Sequence, residues 1–357
     1  MSAPEIVSLD SNPPAATAAK ITSAKITAAK AAFLFILFFL IAGGFGYPIL
    51  NRFDPRQMPA LSDVKSYAAI VTGAESADPS YRRFRVLVPW IARPVYRVAQ
   101  GRIGTWDPVM FSLLVSDSIF VAATAVLIVL LGIRHLGNAA VGLLGAFVYL
   151  ANFAVPNLRV VGLVDAGEGF FMLALFWSLA EVRLWLLPLI AVLGTLTKES
   201  FIPYFIAFTA VWWLTLRGGR NRTRSGSDAS AAWIAVSWAA SVAAFVVLHR
   251  AIEGTFTSPL AFGLGLHQSQ NYLAHFAESL TDRMLWYTCL WLLPTAIPNL
   301  RRFPRSWLLP IAATCLTAFA LDAFHGPAPA GAMGRALFTI AGPVLSLSSA
   351  LLLVGMF

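Results

Sequence analysis

The chain has 357 residues, of which 58% are hydrophobic and only 12% charged, with a formal net charge of +9. A balance this apolar lies outside what a soluble domain of this length carries, so it excludes an ordinary water-soluble enzyme and points to an integral membrane protein. At about 20 apolar residues per crossing, such a chain accommodates about ten helices and no separate soluble domain.

Residues 1–30 are rich in Ala, Ser, Thr and Pro and carry Lys20, Lys25 and Lys30. This composition reads as a disordered cytoplasmic tail that sets orientation. The apolar run 31–50 is long enough to span and is taken as the first transmembrane helix rather than a cleaved signal. Further runs at 109–133, 139–155, 169–180, 184–196, 201–216, 232–248, 284–297, 307–321 and 336–357 bring the expected count to about ten. The fold class is therefore all-α: a polytopic membrane helical bundle forming one integral-membrane domain over 31–357.

Arg217, Arg220, Arg222 and Arg224 fall between two of these runs, and Arg301, Arg302 and Arg305 between two others. Basic loops stay cytoplasmic, which places both termini inside. Loop 51–108 then becomes the first extracytoplasmic loop, yet it carries Arg52, Arg56, Lys65, Arg82, Arg83, Arg85, Arg93, Arg97 and Arg102. Nine bases on the disfavoured side call for a role beyond orientation.

Within that loop, Ser62 is a helix-capping residue and Gly73 a stop, and Val64, Tyr67, Ala68 and Val71 fall on one face at the spacing of an amphipathic surface helix. Asp63 sits in its first turn, where the helix dipole favours a negative charge. Two readings stand side by side: Asp63 helps cap the helix, or it is a carboxylate available to accept a proton. The stretch from Tyr81 through Arg82, Arg83, Phe84, Arg85, Pro89 and Trp90 to Arg93 and Pro94 is too short and too interrupted by proline to cross. It reads as an interfacial segment with Trp90 and Tyr96 at headgroup level and guanidinium groups facing lipid phosphates.

The remaining turns on the same side carry Asp165 and Glu168, then Lys198 and Glu199, then His267, His275, Glu278, Asp282 and Arg283, and finally Asp322, His325 and Arg335. Asp117 lies inside the second span, where an acid is costly and functional by default. His275 and Glu278 are one turn apart without a third ligand in the sequence, so no metal is expected, although a divalent ion is left open. Tyr272, Leu273, Phe276 and Leu280 form a membrane-facing stripe that leaves His275, Glu278 and Asp282 on the wet face. Cys289 and Cys315 fall in apolar runs and imply no disulfide. Glycine-rich phosphate loops, nucleophile elbows and zinc motifs are missing, which argues against an ATP-driven machine.

The segment Leu61-Ser62-Asp63-Val64-Lys65-Ser66-Tyr67, followed by Tyr81-Arg82-Arg83-Phe84-Arg85 and Val88-Pro89-Trp90, resembles the multi-pass C-type glycosyltransferases, which use polyprenyl-phosphate-linked sugars. Leu196-Thr197-Lys198-Glu199-Ser200 and Arg335 are similar to further stretches of that family. The resemblance implies Asp63 as the base on the acceptor hydroxyl, and Arg82, Arg83, Arg85, Lys198 and Arg335 as partners of the leaving phosphate. It implies Asp165 and Glu199 as groups that hold the acceptor or orient the cations. Tyr67 and His267 are counted among the expected substrate-binding residues as well. The expected partners are a polyprenyl-phosphate-linked sugar donor, a lipid, glycan or protein acceptor and membrane lipids, without nucleic acid and without a cofactor. A transporter or flippase of an anionic lipid is the alternative, and a non-catalytic subunit of an envelope-assembly complex a third. A bacterial inner membrane is the expected location.

Overall fold

The computed structural model describes residues 27–52, 62–74, 81–217, 224–256, 271–325 and 332–356. Among these residues every regular element is a helix. In chain order they are α1 (Ala28–Arg52), α2 (Ser62–Thr72), α3 (Leu87–Ala99), α4 (Pro108–Leu136), α5 (Ala139–Ala151), α6 (Asp165–Ala180), α7 (Leu187–Thr197), α8 (Phe201–Arg217), α9 (Arg224–Glu253), α10 (Tyr272–Thr281), α11 (Arg283–Cys289), α12 (Leu292–Leu300), α13 (Arg305–His325) and α14 (Ala332–Val354). A 3-10 turn at Tyr81–Phe84 and a π-turn at Val155–Arg159 complete the path that leads to the site.

Five helices, α1, α4, α9, α13 and α14, are long and apolar enough to cross a membrane. Among the described residues the expectation of about ten spans is thus met in full length by half that number; α5, α8 and the stretch Leu184–Thr197 that contains α7 are apolar but shorter. The expected span at 284–297 is divided into α11 and α12. Pro294 lacks the N–H that would continue the helical ladder to the Leu290 carbonyl, so the chain breaks there and restarts. The expected span at 139–155 also ends early, at Ala151. There Asn152 turns the chain, its Oδ1 accepting the Ala154 N–H at 2.9 Å while its Nδ2 donates to the Thr288 carbonyl at 3.0 Å.

Burial separates a centre from a periphery. The apolar windows of α4 and α14 are 67% and 61% buried, whereas those of α1, α9 and α13 are 22–28% buried and turn most of their surface outward. α4 is set locally by Asp107, whose side chain accepts the Met110 N–H at 2.8 Å ahead of Pro108 at the first helical position. It is closed by Gly137 in the left-handed conformation, and Asn138 then caps α5 by accepting the Val141 N–H at 3.1 Å. The resulting antiparallel pair crosses backbone to backbone: a Cβ on Gly132 would overlap Gly142. Small residues at such a crossing replace hydrophobic drive with close van der Waals packing, the currency of helix association in lipid.

Asp117 lies on α4, fully buried, and its Oδ2 accepts the Gly162 N–H at 3.0 Å. The acid flagged as a mid-span functional candidate therefore anchors the irregular chain between the π-turn and α6. Arg159, the last residue of the π-turn, is equally buried. Arg159 donates to the Asp165 carbonyl and, at 2.6 Å, to Thr339 Oγ1 of α14. Gly169 leaves the room it needs, because a Cβ there would collide with the guanidinium.

Candidate functional site

One end of the bundle gathers the start of α2, the turn before α3, the start of α6, the junction of α7 and α8, the end of α9 and the start of α14. The helix expected between Ser62 and Gly73 forms, stopped by Gly73 at φ 79°. It buries Val64, Tyr67 and Val71 and leaves Asp63 partly accessible. The Ser62 side chain, and with it the expected cap, lies outside the described residues.

The turn that carries the arginines is pinned to α7 by its backbone: Val86 N–H donates to the Leu196 carbonyl at 3.0 Å. α3 then runs through Pro89 and Pro94, where a break was expected. Pro89 falls in the first turn, whose N–H groups have no helical acceptor anyway, and Pro94 lies on the exposed side. Gly167, in the first turn of α6, allows the approach of α3 and α7, since a Cβ there would sit 2.9 Å from Val88 and 2.8 Å from Thr197.

These constraints bring the expected residues into two linked ion-pair webs. In the first, Arg82 Nε lies 2.8 Å from Asp63 Oδ1 and Arg85 Nη1 lies 3.9 Å from Oδ2. Arg85 also makes a forked pair with Glu199, one arm at 2.8 Å from Nε to Oε2, and donates from Nη1 to Tyr67 Oη at 3.2 Å. In the second, Lys198 Nζ donates to Asp165 Oδ1 at 2.8 Å and to Glu168 Oε2 at 2.9 Å, and Ser200 Oγ donates to Glu168 Oε1 at 2.5 Å. Arg335 reaches Asp165 Oδ2 at 3.5 Å. The webs are joined because Lys198 and Glu199 are consecutive residues.

Asp165 and Glu168 are buried in the first turn of α6 rather than exposed in a preceding turn, as the sequence had suggested. The helix starts four residues earlier than expected because two acids at its positive end are favoured there. Arg335 likewise belongs to the first turn of α14 instead of preceding it. A cation at a helix N-terminus is opposed by the dipole, so the Asp165 carboxylate is what compensates it.

Electrostatics follow the geometry. Burial alone would raise Glu199, but the Arg85 guanidinium outweighs it and holds the carboxyl below its ordinary range. Burial alone would lower Lys198, yet Asp165 and Glu168 keep the ammonium above its usual value. Arg85 is held above its ordinary value by Glu199 and Tyr67 against its own burial. Burial pushes the Tyr67 phenol up to about 12, despite Arg85 beside it. The result is a set of fixed charges at neutral pH, with a neutral phenol among them.

Of the residues singled out from sequence, Asp63, Tyr67, Arg82, Arg85, Asp165, Lys198, Glu199 and Arg335 thus come together. Arg83 does not join them; its guanidinium turns to Glu253 at the end of α9. His267 lies outside the described residues. On α10, Leu273 is 82% exposed in the expected outward stripe, whereas Asp282 acts as the cap of α11, accepting the Met284 N–H at 2.9 Å. His275 pairs with Glu278 at 3.4 Å, and among the described residues no three His, Cys, Asp or Glu converge on a metal position. Sequence reasoning missed Arg159, Ser200 and Glu253. The signal for Arg159 was faint: a single arginine after an apolar run reads as a span end, and only the glycine-bearing start of α6 hinted at a large side chain beneath it.

No family model matches the chain, and neither curated proteins nor solved structures give a significant match.

Proposed function

We propose that the chain is a membrane glycosyltransferase that moves a sugar from a polyprenyl-phosphate carrier to an acceptor hydroxyl at the extracytoplasmic surface. The observation that carries the reading is Asp63, presented by a surface helix, partly accessible and bounded by Arg82 and Arg85 at one end of an apolar bundle. The topology that goes with it has about ten crossings, α11 and α12 together making one, with both termini cytoplasmic in a bacterial inner membrane. Antiparallel succession of the helices then puts the ion-pair webs outside and Arg217, Arg301, Arg302 and Arg305 inside, in keeping with the preference of basic loops for the cytoplasm.

In this reading Asp63 removes the proton of the acceptor hydroxyl as its oxygen attacks the anomeric carbon. The bond from that carbon to the phosphate oxygen breaks, its electron pair leaves with the lipid phosphate, and the sugar's configuration inverts. Arg82 and Arg335, whose side chains are partly accessible, meet the growing phosphate charge, where positioned donors are worth most. Arg85 and Lys198 are held by carboxylates and keep the accessible groups in register. Because Arg82 Nε pairs with Asp63 Oδ1, a phosphate that draws this guanidinium away also frees that oxygen.

The test is the Asp63→Asn variant in cells, read by mass spectrometry of lipid-linked sugars and envelope glycans. Loss of one sugar from a glycan with accumulation of its lipid-linked donor, about 10²–10⁴-fold in transfer rate, is the expected outcome for a lost general base. Unchanged glycans with a lipid trapped on the cytoplasmic leaflet would instead establish the transporter reading.

A further inference from the structure

Away from the charged webs, the last turns of α3 and the start of α4 enclose an open groove of about 550 Å³, lined by Pro94, Val95, Val98, Arg102, Ile103 and Phe111 among others. This volume falls within the ~300–1,000 Å³ of small-molecule clefts. Its walls are hydrocarbon and ring surface, and Arg102 is the one cation among them.

The surroundings fix its depth. Trp106, next along the chain, donates from Nε1 to Asn51 at 3.1 Å, meets Tyr47 edge to face and stacks on the groove residue Phe111. Trp90, on α3, is 48% exposed. Tryptophan and tyrosine with one apolar and one polar edge settle at the level of lipid headgroups. The groove therefore opens where a phosphate gives way to acyl chain.

Charge selects the occupant. Arg97 and Arg102 are both exposed, and among the described residues neither has a carboxylate within 4 Å. Asp107, the nearest acid in the chain, is used as the cap of α4. Among the described residues, Arg102 in the groove wall and Arg97 on α3 have no balancing acid, which favours a phosphodiester over a zwitterion, whose ammonium they would repel.

We infer that this groove is a binding site for an anionic glycerophospholipid, its phosphate on Arg102 and Arg97 and the upper part of one acyl chain against Val98 and Phe111. The site is independent of the transferase reading. It acts on α3, whose first turn follows directly on Arg85, so an occupied groove buttresses the helix that delivers the arginines.

The experiment titrates the purified full-length protein in detergent with phosphatidylglycerol and with phosphatidylcholine and counts retained lipids by native mass spectrometry. Phosphatidylglycerol is expected to be retained at concentrations lower than phosphatidylcholine, with Arg102→Gln removing about fivefold of that preference. Val98→Trp, which fills the groove from an exposed position, should weaken retention of the same lipid, whereas Arg302→Gln at the opposite end should leave it unchanged. Equal retention of the two lipids, or wild-type titration by both groove variants, overturns the proposal. So does displacement of the lipid by millimolar inorganic phosphate, which would identify a bare anion site without a role for the groove. Arg102→Gln alters only an exposed side chain and keeps the test decisive if Val98→Trp does not fold.

Discussion

The two ends of the bundle use charge in opposite ways. At the end that holds Asp63 and Lys198, Asp63 lies 2.8 and 3.9 Å from Arg82 and Arg85, Lys198 lies 2.8 and 2.9 Å from Asp165 and Glu168, and two of the acids are buried. At the other end, Arg134 and His135 share Glu181, Arg217 lies over the Trp213 ring, and Arg301, Arg302 and Arg305 are exposed. The first arrangement is costly to desolvate and tolerable only when complete. The second resembles a headgroup-facing belt, in which each base acts nearly alone. A basic residue in this chain thus has to be interpreted through its neighbours, because a guanidinium stands nearly alone at one end and is held among carboxylates at the other.

Removing one cation from each end should break the symmetry of that comparison most sharply. Lys198→Ala leaves Asp165 and Glu168 buried without their shared ammonium and should cost about 3–5 kcal/mol, measured by reversible denaturation in mixed micelles. Glu199→Gln removes the charged half of the Arg85 fork and should cost about 1.5–3 kcal/mol.

The same variant carries a pH signature. The folded pKa of Glu199 lies below its ordinary 4.5, so its stabilisation is complete above that value and is lost as the pH falls through the lower folded value. Lys198 is shifted the other way, so its contribution is complete below its ordinary 10.5 and is lost as the pH rises through the higher folded value. The contributions of these two groups should therefore hold a plateau between about pH 5 and 10, and Glu199→Gln should remove the acid limb that belongs to Glu199. The smallest effect belongs to the opposite end, where Arg134→Ala should change stability by about 0.2–1 kcal/mol, less at high salt, since its side chain is 40% exposed.

Much of this was legible before the structure. The surface helix from Ser62 to Gly73, its buried Tyr67 and the acid in its first turn follow from capping, stop and apolar spacing. The gathering of Lys198, Glu199, Asp165 and Arg335 was anticipated only as a shared side of the membrane, since hydropathy orders ends without measuring distances. Arg83 shows the limit: next to Arg82 and two residues from Arg85, it is indistinguishable from them in composition, and only the position of Glu253 diverts it. The split between α11 and α12 was written in Pro294, but the summed hydropathy of the run concealed it. Arg159 and the π-turn were illegible because their reason is a void above Gly169, a property of packing rather than of pattern.

The adjacency of Lys198 and Glu199 has a mechanical meaning. Lys198 is fully extended, at φ −163° and ψ 138°, so its side chain and that of the next residue leave the backbone on opposite sides. One side chain grips Asp165 and Glu168, the other grips Arg85, and a rigid planar peptide joins them. That peptide is a backbone unit shared by both grips, so the two webs are held at a separation fixed by one rigid plane.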